Sequence, residues 1–286
     1  MQPLDRLVQK LCDASRKQYL NPYTYLEWPR RIGEDEWCMT PEFISIYGTD
    51  LYAGLSQRQR KRLSFYEAVN FFSLNIHGEK ALVEGLTQRL YRGGNETITP
   101  YLHHFLDEEN KHMVYFGGFC MRYADKIYTD RKMAIPRQFA PGEEDFLFFS
   151  KVMIFEEIVD VYNARIASDE RVAPIVRKIN LIHHKEEARH LVFGRDVVKR
   201  MFHTWAPQWP RETLQNIRDY LQAYFVTTWK EYYNPDVYKD AALQEPYQVH
   251  QRAFSDAACR AHRRAVSGKC LDFLVEHGIF EKGFVV

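Results

Sequence analysis

Four long stretches of the chain repeat apolar residues at helical spacing, separated by residues that begin or end helices. Ser56 precedes the first stretch as a predicted N-cap. Thr99-Pro100 supplies a cap and a proline at the first helical position of the second. The four predicted helices run from Ser56 to the Gly93-Gly94 pair, from Thr99 to about Ile127, from Gly142-Glu143 onward, and from Pro174 to about Trp205.

The rest of the chain extends this helical pattern on both sides. Residues 1–19 and about 211–280 have helical spacing, whereas 21–48 are rich in Pro, Gly and aromatic residues and should wrap around the outside of the bundle. No paired strands are predicted. The sequence therefore predicts an all-α fold in a single domain of residues 1–286, with the main bundle at about 56–205 and an apolar tail, Gly278–Val286, over an opening or a subunit contact.

Composition narrows the possible partners. The 286 residues carry 39 basic and 38 acidic side chains, a net charge of +1, which gives no electrostatic basis for binding nucleic acid or an anionic membrane. The first twenty residues have no apolar signal-peptide core, and no later stretch reaches membrane-spanning length, so we expect a cytoplasmic protein. Five widely spaced cysteines without a C-x-x-C pair indicate reduced thiols.

One pattern occurs twice: a lone glutamate followed about thirty residues later by a Glu-x-x-His triplet. Residues three apart share a helical face, and about thirty residues complete one helix, a turn and the return to the same height on an antiparallel neighbour. Such a repeat is typical of helical bundles that hold two metal ions. The residues are Glu79, Glu109 and His112 in the first half and Glu156, Glu187 and His190 in the second.

The second half adds a third imidazole, because His183 lies four residues before Glu187 on the same stripe. Apolar runs flank these positions, and burying charged groups there is costly unless they are paired or bind metal. Four carboxylates and three imidazoles without a cysteine favour two iron ions (Fe2+/Fe3+), with manganese possible in one position, over structural zinc. Along the sequence, His183 and His190 both fall in the second half, which predicts two unequal metal positions.

Two of these assignments have competitors. Glu84 is an alternative to Glu79, but it is only 25 residues before Glu109, which leaves too little chain for the turn. Glu157 is the alternative to Glu156, which we prefer for its match to the thirty-residue spacing.

Other residues are candidates to support the metal ligands or line a substrate pocket. Asp160 and Asn163 follow Glu156 on its helical face, where each could hold a ligand imidazole or contact substrate. The remaining candidates for the pocket are Phe72, Asn75, Phe105, Phe116 and Tyr162.

The segments HGEKALVEGL, DEENKH, FEEIVDVYNAR and NLIHHKEEARH resemble the AurF-type diiron oxygenases, the para-aminobenzoate N-oxygenase family, over roughly residues 40–205. The resemblance implies a ferritin-like bundle whose two irons use dioxygen and electrons from an external donor. It implies oxidation of an aromatic amine to hydroxylamine, nitroso and nitro products in small-molecule biosynthesis, and we expect a homodimer. The implied ligands are Glu79, Glu109, His112, Glu156, His183, Glu187 and His190.

The para-aminobenzoate enzyme is expected to hold its substrate carboxylate with an arginine near the first glutamate. Here that turn reads Phe72-Ser73-Leu74-Asn75 and contains no cation, which predicts a neutral amine, free or tethered to a carrier protein. Arg165 and Arg189 are the nearest cations in sequence that could change this expectation.

Other functions of such a centre stay open. The alternative activity is hydroxylation or desaturation of C–H bonds in a biosynthetic intermediate. Iron storage is disfavoured by the third imidazole, and a radical-generating role would need a tyrosine beside the irons, for which Tyr115 or Tyr162 could serve.

Overall fold

A computed structural model describes residues 3–130, 138–281 and 284. Within these ranges the chain forms ten α-helices and two single-turn 3-10 helices, Pro41–Phe43 and Ala206–Gln208, and its one β-pairing is an isolated bridge between Trp37 and Val172. The helices are α1 (Pro3–Lys17), α2 (Asp50–Ala53), α3 (Gln57–Thr87), α4 (Thr99–Tyr123), α5 (Glu143–Ser168), α6 (Pro174–Trp205), α7 (Arg211–Tyr232), α8 (Pro235–Asp240), α9 (Pro246–Ser255) and α10 (Ala257–Glu276).

The core is a bundle of the four longest helices. Helix α3 packs mainly on α4 and α5 mainly on α6, and the two pairs meet through α3 with α5 and α4 with α6. Helix α1 lies on α4 and α6, whereas α7 and α10 pack on α5. The prediction of an all-α bundle with additional helices at both ends is confirmed. None of the described helices has the length and apolarity that a bilayer crossing requires.

The predicted start of α3 is confirmed. The Ser56 side chain accepts a hydrogen bond from the Gln59 backbone, and the Gln59 side chain accepts one from Ser56 in return, which forms a capping box. At α4 the prediction was one residue off, because Ile98 occupies the N-cap position and Thr99 and Pro100 form the first turn.

Two helix ends were predicted too late. Helix α3 ends at Thr87, because the chain then folds into three-residue turns that bury Arg89, whose guanidinium lies 2.8 Å from the Asp145 carboxylate of α5. Helix α4 ends at Tyr123 and not near Ile127, since Asp125 adopts a left-handed backbone conformation with φ of 47°.

Two glycines let α3 and α5 approach closely beside the predicted metal ligands. A Cβ atom on Gly78 would lie 2.5 Å from the Phe155 ring, and one on Gly85 would lie 2.1 Å from the Phe148 ring. Any larger side chain would force the helices apart. Gly78 therefore fixes the distance from α5 to the adjacent Glu79.

The segment between α1 and α3 lies across the bundle, as predicted. Its Cys38 N–H donates to Ser64 Oγ of α3, and its Trp37 carbonyl accepts from Ala173 N–H at the start of α6. In the predicted tail, the Phe280 and Phe284 rings pack against Phe225 of α7. Residues 282, 283, 285 and 286 of that tail lie outside the described residues.

A carboxyl group away from the predicted metal site is also buried. Glu67 of α3 accepts hydrogen bonds from Ser45 Oγ at 2.5 Å and Ser45 N–H at 3.3 Å, and Ser45 Oγ lies 2.8 Å from the Tyr238 hydroxyl. Burial raises the pKa of Glu67 to about 8, although both Ser45 hydrogen bonds act to lower it.

This raised pKa predicts a pH dependence of stability. An unfolded glutamate loses its proton near pH 4.5 and folded Glu67 near pH 8, so the folded state holds the extra proton between these values and stability falls as pH rises. We expect Glu67→Gln to be more stable than wild type, by a margin that grows by up to about 1.4 kcal/mol per pH unit across this window and is constant above it. Thermal unfolding followed by circular dichroism at several pH values measures the margin. The exposed Glu84→Gln is the control, and a margin that does not change with pH would contradict the assignment.

Candidate metal centre

Four helices bring the seven predicted ligands into one cluster at the centre of the bundle. Each of the seven is at most 2% exposed. Their oxygen and nitrogen atoms form three overlapping groups, within each of which the atoms lie within 4.8 Å of one another. The cluster consists of Glu79 from α3, Glu109 and His112 from α4, Glu156 from α5, and His183, Glu187 and His190 from α6.

The grouping crosses the two halves of the sequence. His112 and His183 lie together with Glu79 and Glu187, and their ring centroids are 4.4 Å apart. His183 Nε2 is 3.4 Å from a Glu79 oxygen and 3.0 Å from a Glu187 oxygen. His190 Nδ1 instead lies 2.9 Å from Glu109. The two imidazoles on one side of the cluster are therefore those of His112 and His183. The prediction from sequence order, which paired His183 with His190, is wrong.

The two competing glutamates lie elsewhere. Glu84 is exposed on α3. Glu157 is buried but turns toward Arg195 of α6, whose Nε donates to its carboxylate at 2.5 Å. Neither belongs to the three groups of potential ligand atoms.

Several polar atoms of the cluster have no hydrogen-bond partner among the described residues. These atoms, whose contacts within the cluster do not have hydrogen-bond geometry, are both carboxylate oxygens of Glu79, Glu109 Oε1, Glu156 Oε2, Glu187 Oε2 and His183 Nε2. Leaving such groups unpaired in a protein interior costs about 1–3 kcal/mol each, and more when they are charged. They all point into the same small space, which is the arrangement expected of metal ligands.

The electrostatics of the cluster show the same need for positive charge. Burial, together with the neighbouring carboxylates, raises the pKa values of Glu109 and Glu156 well above the usual range. Burial also acts against the charged imidazoles, but Glu187 beside them raises the pKa of His183 to about 10 and that of His190 to about 9. In the protein alone, bound protons supply the positive charge that compensates the four carboxylates. Two metal cations fit this donor set, since hard carboxylates and imidazoles are the ligands of iron and manganese.

A second layer of carboxylates holds the histidines from behind. Glu186 of α6 lies 2.9 Å from His112 Nε2 of α4 and forms an ion pair with Lys111 at 2.9 Å. Glu108 of α4 lies 2.8 Å from His190 Nε2 of α6 and pairs with Arg189 at 2.6 Å. The glutamate that immediately precedes each Glu-x-x-His motif thus orients the histidine of the other motif.

This reciprocal arrangement was not predicted, although the sequence carries a signal for it. Both triplets read Glu-Glu-x-cation-His, in residues 108–112 and 186–190. The extra glutamate and the cation before the histidine are the groups that cross between α4 and α6. Arg189, considered above as a possible substrate partner, is occupied by Glu108 and by Gln18, which accepts from its Nη1 at 2.7 Å. Arg165 is exposed.

The two polar candidates on α5 differ in position. Asn163 lies behind His183, with its side-chain amide nitrogen 2.7 Å from Nδ1. If His183 binds metal through Nε2, its Nδ1 carries the proton, and the Asn163 amide turns to present its oxygen as acceptor. Asp160 instead accepts from His184 at 2.5 Å on the outer side of the bundle.

The other candidates are buried among core side chains. The Phe72 ring stacks on Phe116, and Phe105 stacks on the ring of His190 at 3.9 Å between centroids. Tyr162 stacks on Phe71, and its hydroxyl lies 3.1 Å from His262 Nε2. The Asn75 side chain donates to the Phe71 carbonyl.

A cavity of about 490 Å³ between α3, α5 and α7 reaches the cluster at Glu156. Aromatic rings form much of its wall, and none of the pocket residues predicted from the sequence lines it. Its main lining residues are Gly78, Leu82, Phe148, Lys151, Phe155 and Tyr224.

The fold and the buried cluster together define a ferritin-like protein of the dinuclear-metal class. The chain belongs to the family described as P-aminobenzoate N-oxygenase AurF, which it matches over residues 3–278. Uncharacterised proteins of Mycobacterium tuberculosis and Mycobacterium bovis are each 23% identical over 258 residues, a region that covers 85% of this chain and 72% of each relative.

Solved structures share the fold. An R2-like ligand-binding oxidase variant with an anaerobically reconstituted Mn/Fe cofactor aligns with a TM-score of 0.52 at 13% identity, covering 99% of this chain and 95% of that one. A second variant of such an oxidase gives a TM-score of 0.50 at 14% identity, covering 99% and 94%. With its family, this fold identifies the protein as an enzyme of the dinuclear iron oxygenase and oxidase class.

Metal content distinguishes the two candidate glutamates on α3. We expect about two irons per chain after anaerobic loading with Fe2+. Glu79→Gln should lose much of this iron, because the substitution removes a buried ligand charge, whereas the exposed Glu84→Gln should retain it. Elemental analysis of the desalted proteins measures iron, and circular dichroism checks helicity. Full iron in Glu79→Gln would rule out the assignment of the first ligand.

The carboxylates behind the histidines should affect metal affinity without binding the metal. We expect Glu108→Gln to weaken iron binding about 10- to 100-fold, because an amide holds His190 less strongly and removes the charge that pairs with Arg189 at 2.6 Å. Competition with a chelator of known affinity measures the change. Glu157→Gln is the control, since Glu157 is also buried and paired with an arginine but lies outside the cluster. Equal losses in both variants would indicate a general effect on the fold.

Proposed function

We propose that this protein is a non-heme diiron oxygenase that uses dioxygen and two electrons to oxidise the nitrogen of an amine, preferably an arylamine. The observation that carries the proposal is the cavity that ends at Glu156, because it leads a small molecule directly to the carboxylate–imidazole cluster. Membership of the N-oxygenase family supports the same reaction.

The shape and walls of the cavity suit an aromatic substrate. Its volume of about 490 Å³ falls within the range of small-molecule sites. Phe148 and Phe155 of α5 and Tyr220 and Tyr224 of α7 line it, and flat rings bind well between such side chains. Phe155 and Glu156 both line the cavity, so a ring held against Phe155 can direct its para substituent toward Glu156.

The stoichiometry of the first oxidation, from amine to hydroxylamine, defines what the protein must supply. One amine, one dioxygen, two electrons and two protons give one N-hydroxylamine and one water. Iron, when bound, supplies dioxygen binding and electron transfer. The chain supplies the rest: Glu156 faces the approaching nitrogen, Asn163 orients His183, and Glu108 and Glu186 hold the other two imidazoles.

The charges around the cavity bear on the substrate. Lys151 lies in its wall with Nζ 3.4 Å from the Tyr220 hydroxyl, and Asp130 lines the same cavity. This cation in the cavity wall was not predicted, yet the charges of Lys151 and Asp130 are opposite and largely cancel. A neutral amine, free or carrier-tethered, therefore remains our preferred substrate.

We expect the iron-loaded, chemically reduced protein to convert neutral para-substituted anilines to hydroxylamines with a higher kcat/KM than para-aminobenzoate, because a buried carboxylate would lack a dedicated partner. Mass spectrometry after reaction with ¹⁸O₂ should show the label on nitrogen. Products of further oxidation, nitroso and nitro compounds, should follow with time.

Lys151→Met provides the control for charge. Because a neutral aniline has no charge for Lys151 to pair with, the variant should leave kcat/KM for neutral anilines nearly unchanged. A large and selective loss with para-aminobenzoate would show that Lys151 binds a carboxylate and would contradict the preference for a neutral amine. Label found on carbon would instead support the alternative of C–H hydroxylation.

A further inference from the structure

A second concavity, of about 410 Å³, lies between the segment before α3, the first turns of α3 and the end of α4. Six cationic side chains and two acidic ones, Glu34 and Glu36, line it, so the cleft carries an excess of four positive charges in a chain whose net charge is +1. We refer to it as the basic cleft. Its cations are Arg30, Arg31, Arg58, Lys61, Arg62 and Arg122.

Most of this charge is not neutralised within the described part of the chain. Arg58 pairs with Glu34 at 3.2 Å, and both side chains are highly exposed. Lys61 and Arg62 donate to backbone carbonyls, which accept hydrogen bonds without neutralising the charge. Arg122 lies over the ring of Trp28. Arg30 and Arg31 are exposed and have no ion-pair partner among the described residues. Such a surface attracts and orients an anionic partner.

A continuous chain of aromatic rings leads from this cleft to the candidate metal centre. Tyr123, in the wall of the cleft, contacts Phe119 at 5.2 Å between ring centroids. Phe119 contacts Phe72 at 4.9 Å, Phe72 stacks on Phe116 at 5.2 Å, and Phe116 meets the ring of His183 edge-on at 4.9 Å. All four separations are those of rings in direct contact. We refer to Tyr123, Phe119, Phe72 and Phe116 as the aromatic chain.

The aromatic chain matters because electrons cross proteins by tunnelling, which is faster through closely packed atoms than through gaps. From His112 to Tyr123 the α4 backbone advances eleven residues, or roughly 17 Å at about 1.5 Å per residue. No water-filled gap interrupts the ring contacts, since Phe72, Phe116 and Phe119 are completely buried. The rings provide the path and need not change oxidation state themselves.

A carrier protein that delivers substrate would also be acidic, but the position of the basic cleft argues against it. The basic cleft and the cavity that reaches Glu156 share no lining residue. A tethered substrate must enter the cavity, whereas an electron donor needs only a packed path to the metals. The observed connection from the basic cleft is of the second kind.

We propose that the basic cleft is the docking site of a small acidic iron–sulfur protein, and that the aromatic chain is the route of its electrons toward His183. The proposal rests on the diiron function proposed above. Two reduced donor molecules each lose one electron, and together they supply the two electrons that accompany each dioxygen.

Binding tests the docking site without relying on turnover. We expect an oxidised acidic ferredoxin to bind at low salt and to dissociate at about 0.5 M salt, as measured by isothermal titration calorimetry. Arg30→Glu combined with Arg31→Glu should weaken binding about tenfold or more without affecting the fold, because both side chains are exposed. The matched control is Arg264→Glu with Lys269→Glu, two exposed charge reversals on α10, which packs on α5.

Stopped-flow reduction of the iron-loaded protein by excess reduced ferredoxin tests the route. Phe119→Leu should slow reduction at saturating donor about tenfold while leaving ferredoxin affinity unchanged, because it opens the aromatic chain without altering the cleft charges. Phe146→Leu is the matched control, since Phe146 is equally buried but packs against Phe202 and Trp209.

Wild-type affinity in the Arg30/Arg31 double variant, or equal binding by an acidic carrier protein without a redox centre, would overturn the docking proposal. A wild-type rate of reduction in Phe119→Leu would overturn the proposed electron route. Amine oxidation driven by a chemical reductant distinguishes these failures from failure of the proposed function, because it bypasses the docked donor.

Discussion

The structure depends on one constraint: four carboxylates meet in an apolar bundle core, where their mutual repulsion and lost hydration must be compensated by positive charge. In the protein alone, burial and like charge raise the pKa values of Glu109 and Glu156, and Glu187 raises those of His183 and His190. A pair of metal cations satisfies the same demand while also occupying the unpaired oxygens that face one another. The metal site and the core of the bundle are therefore a single electrostatic unit.

The outer carboxylates extend this unit between helices. Glu108 of α4 and Glu186 of α6 each hold the histidine of the opposite triplet and the cation that precedes it. This exchange ties α4 to α6 at the height of the cluster, and it compensates Lys111 and Arg189, which are also buried. Ligand orientation and helix pairing thus rely on the same contacts.

The bundle also separates the approaches to its centre. Between α3 and α5, the missing side chains of Gly78 and Gly85 admit Phe155 and Phe148, which form part of the cavity wall beside Glu156. Between α3 and α4, buried phenylalanines fill the core up to the basic cleft. The side between α3 and α5 can therefore admit a small molecule, whereas the side between α3 and α4 is filled by packed side chains and admits none. This division suits an enzyme that must keep substrate and reductant apart.

The sequence by itself determined the helical bundle, the starts of three of its four long helices and the residues that meet at its centre. Helical periodicity and capping are local properties, and a thirty-residue repeat fixes height on antiparallel neighbours. The sequence predicted the end of α3 too late, since that end depends on Arg89 reaching Asp145 of another helix. Only the tertiary structure decided that His183 lies with His112, that Glu186 and Glu108 cross between triplets, and that the cavity opens beside α7. Each of these depends on the rotation and lateral distance of packed helices, which sequence spacing along one helix does not specify.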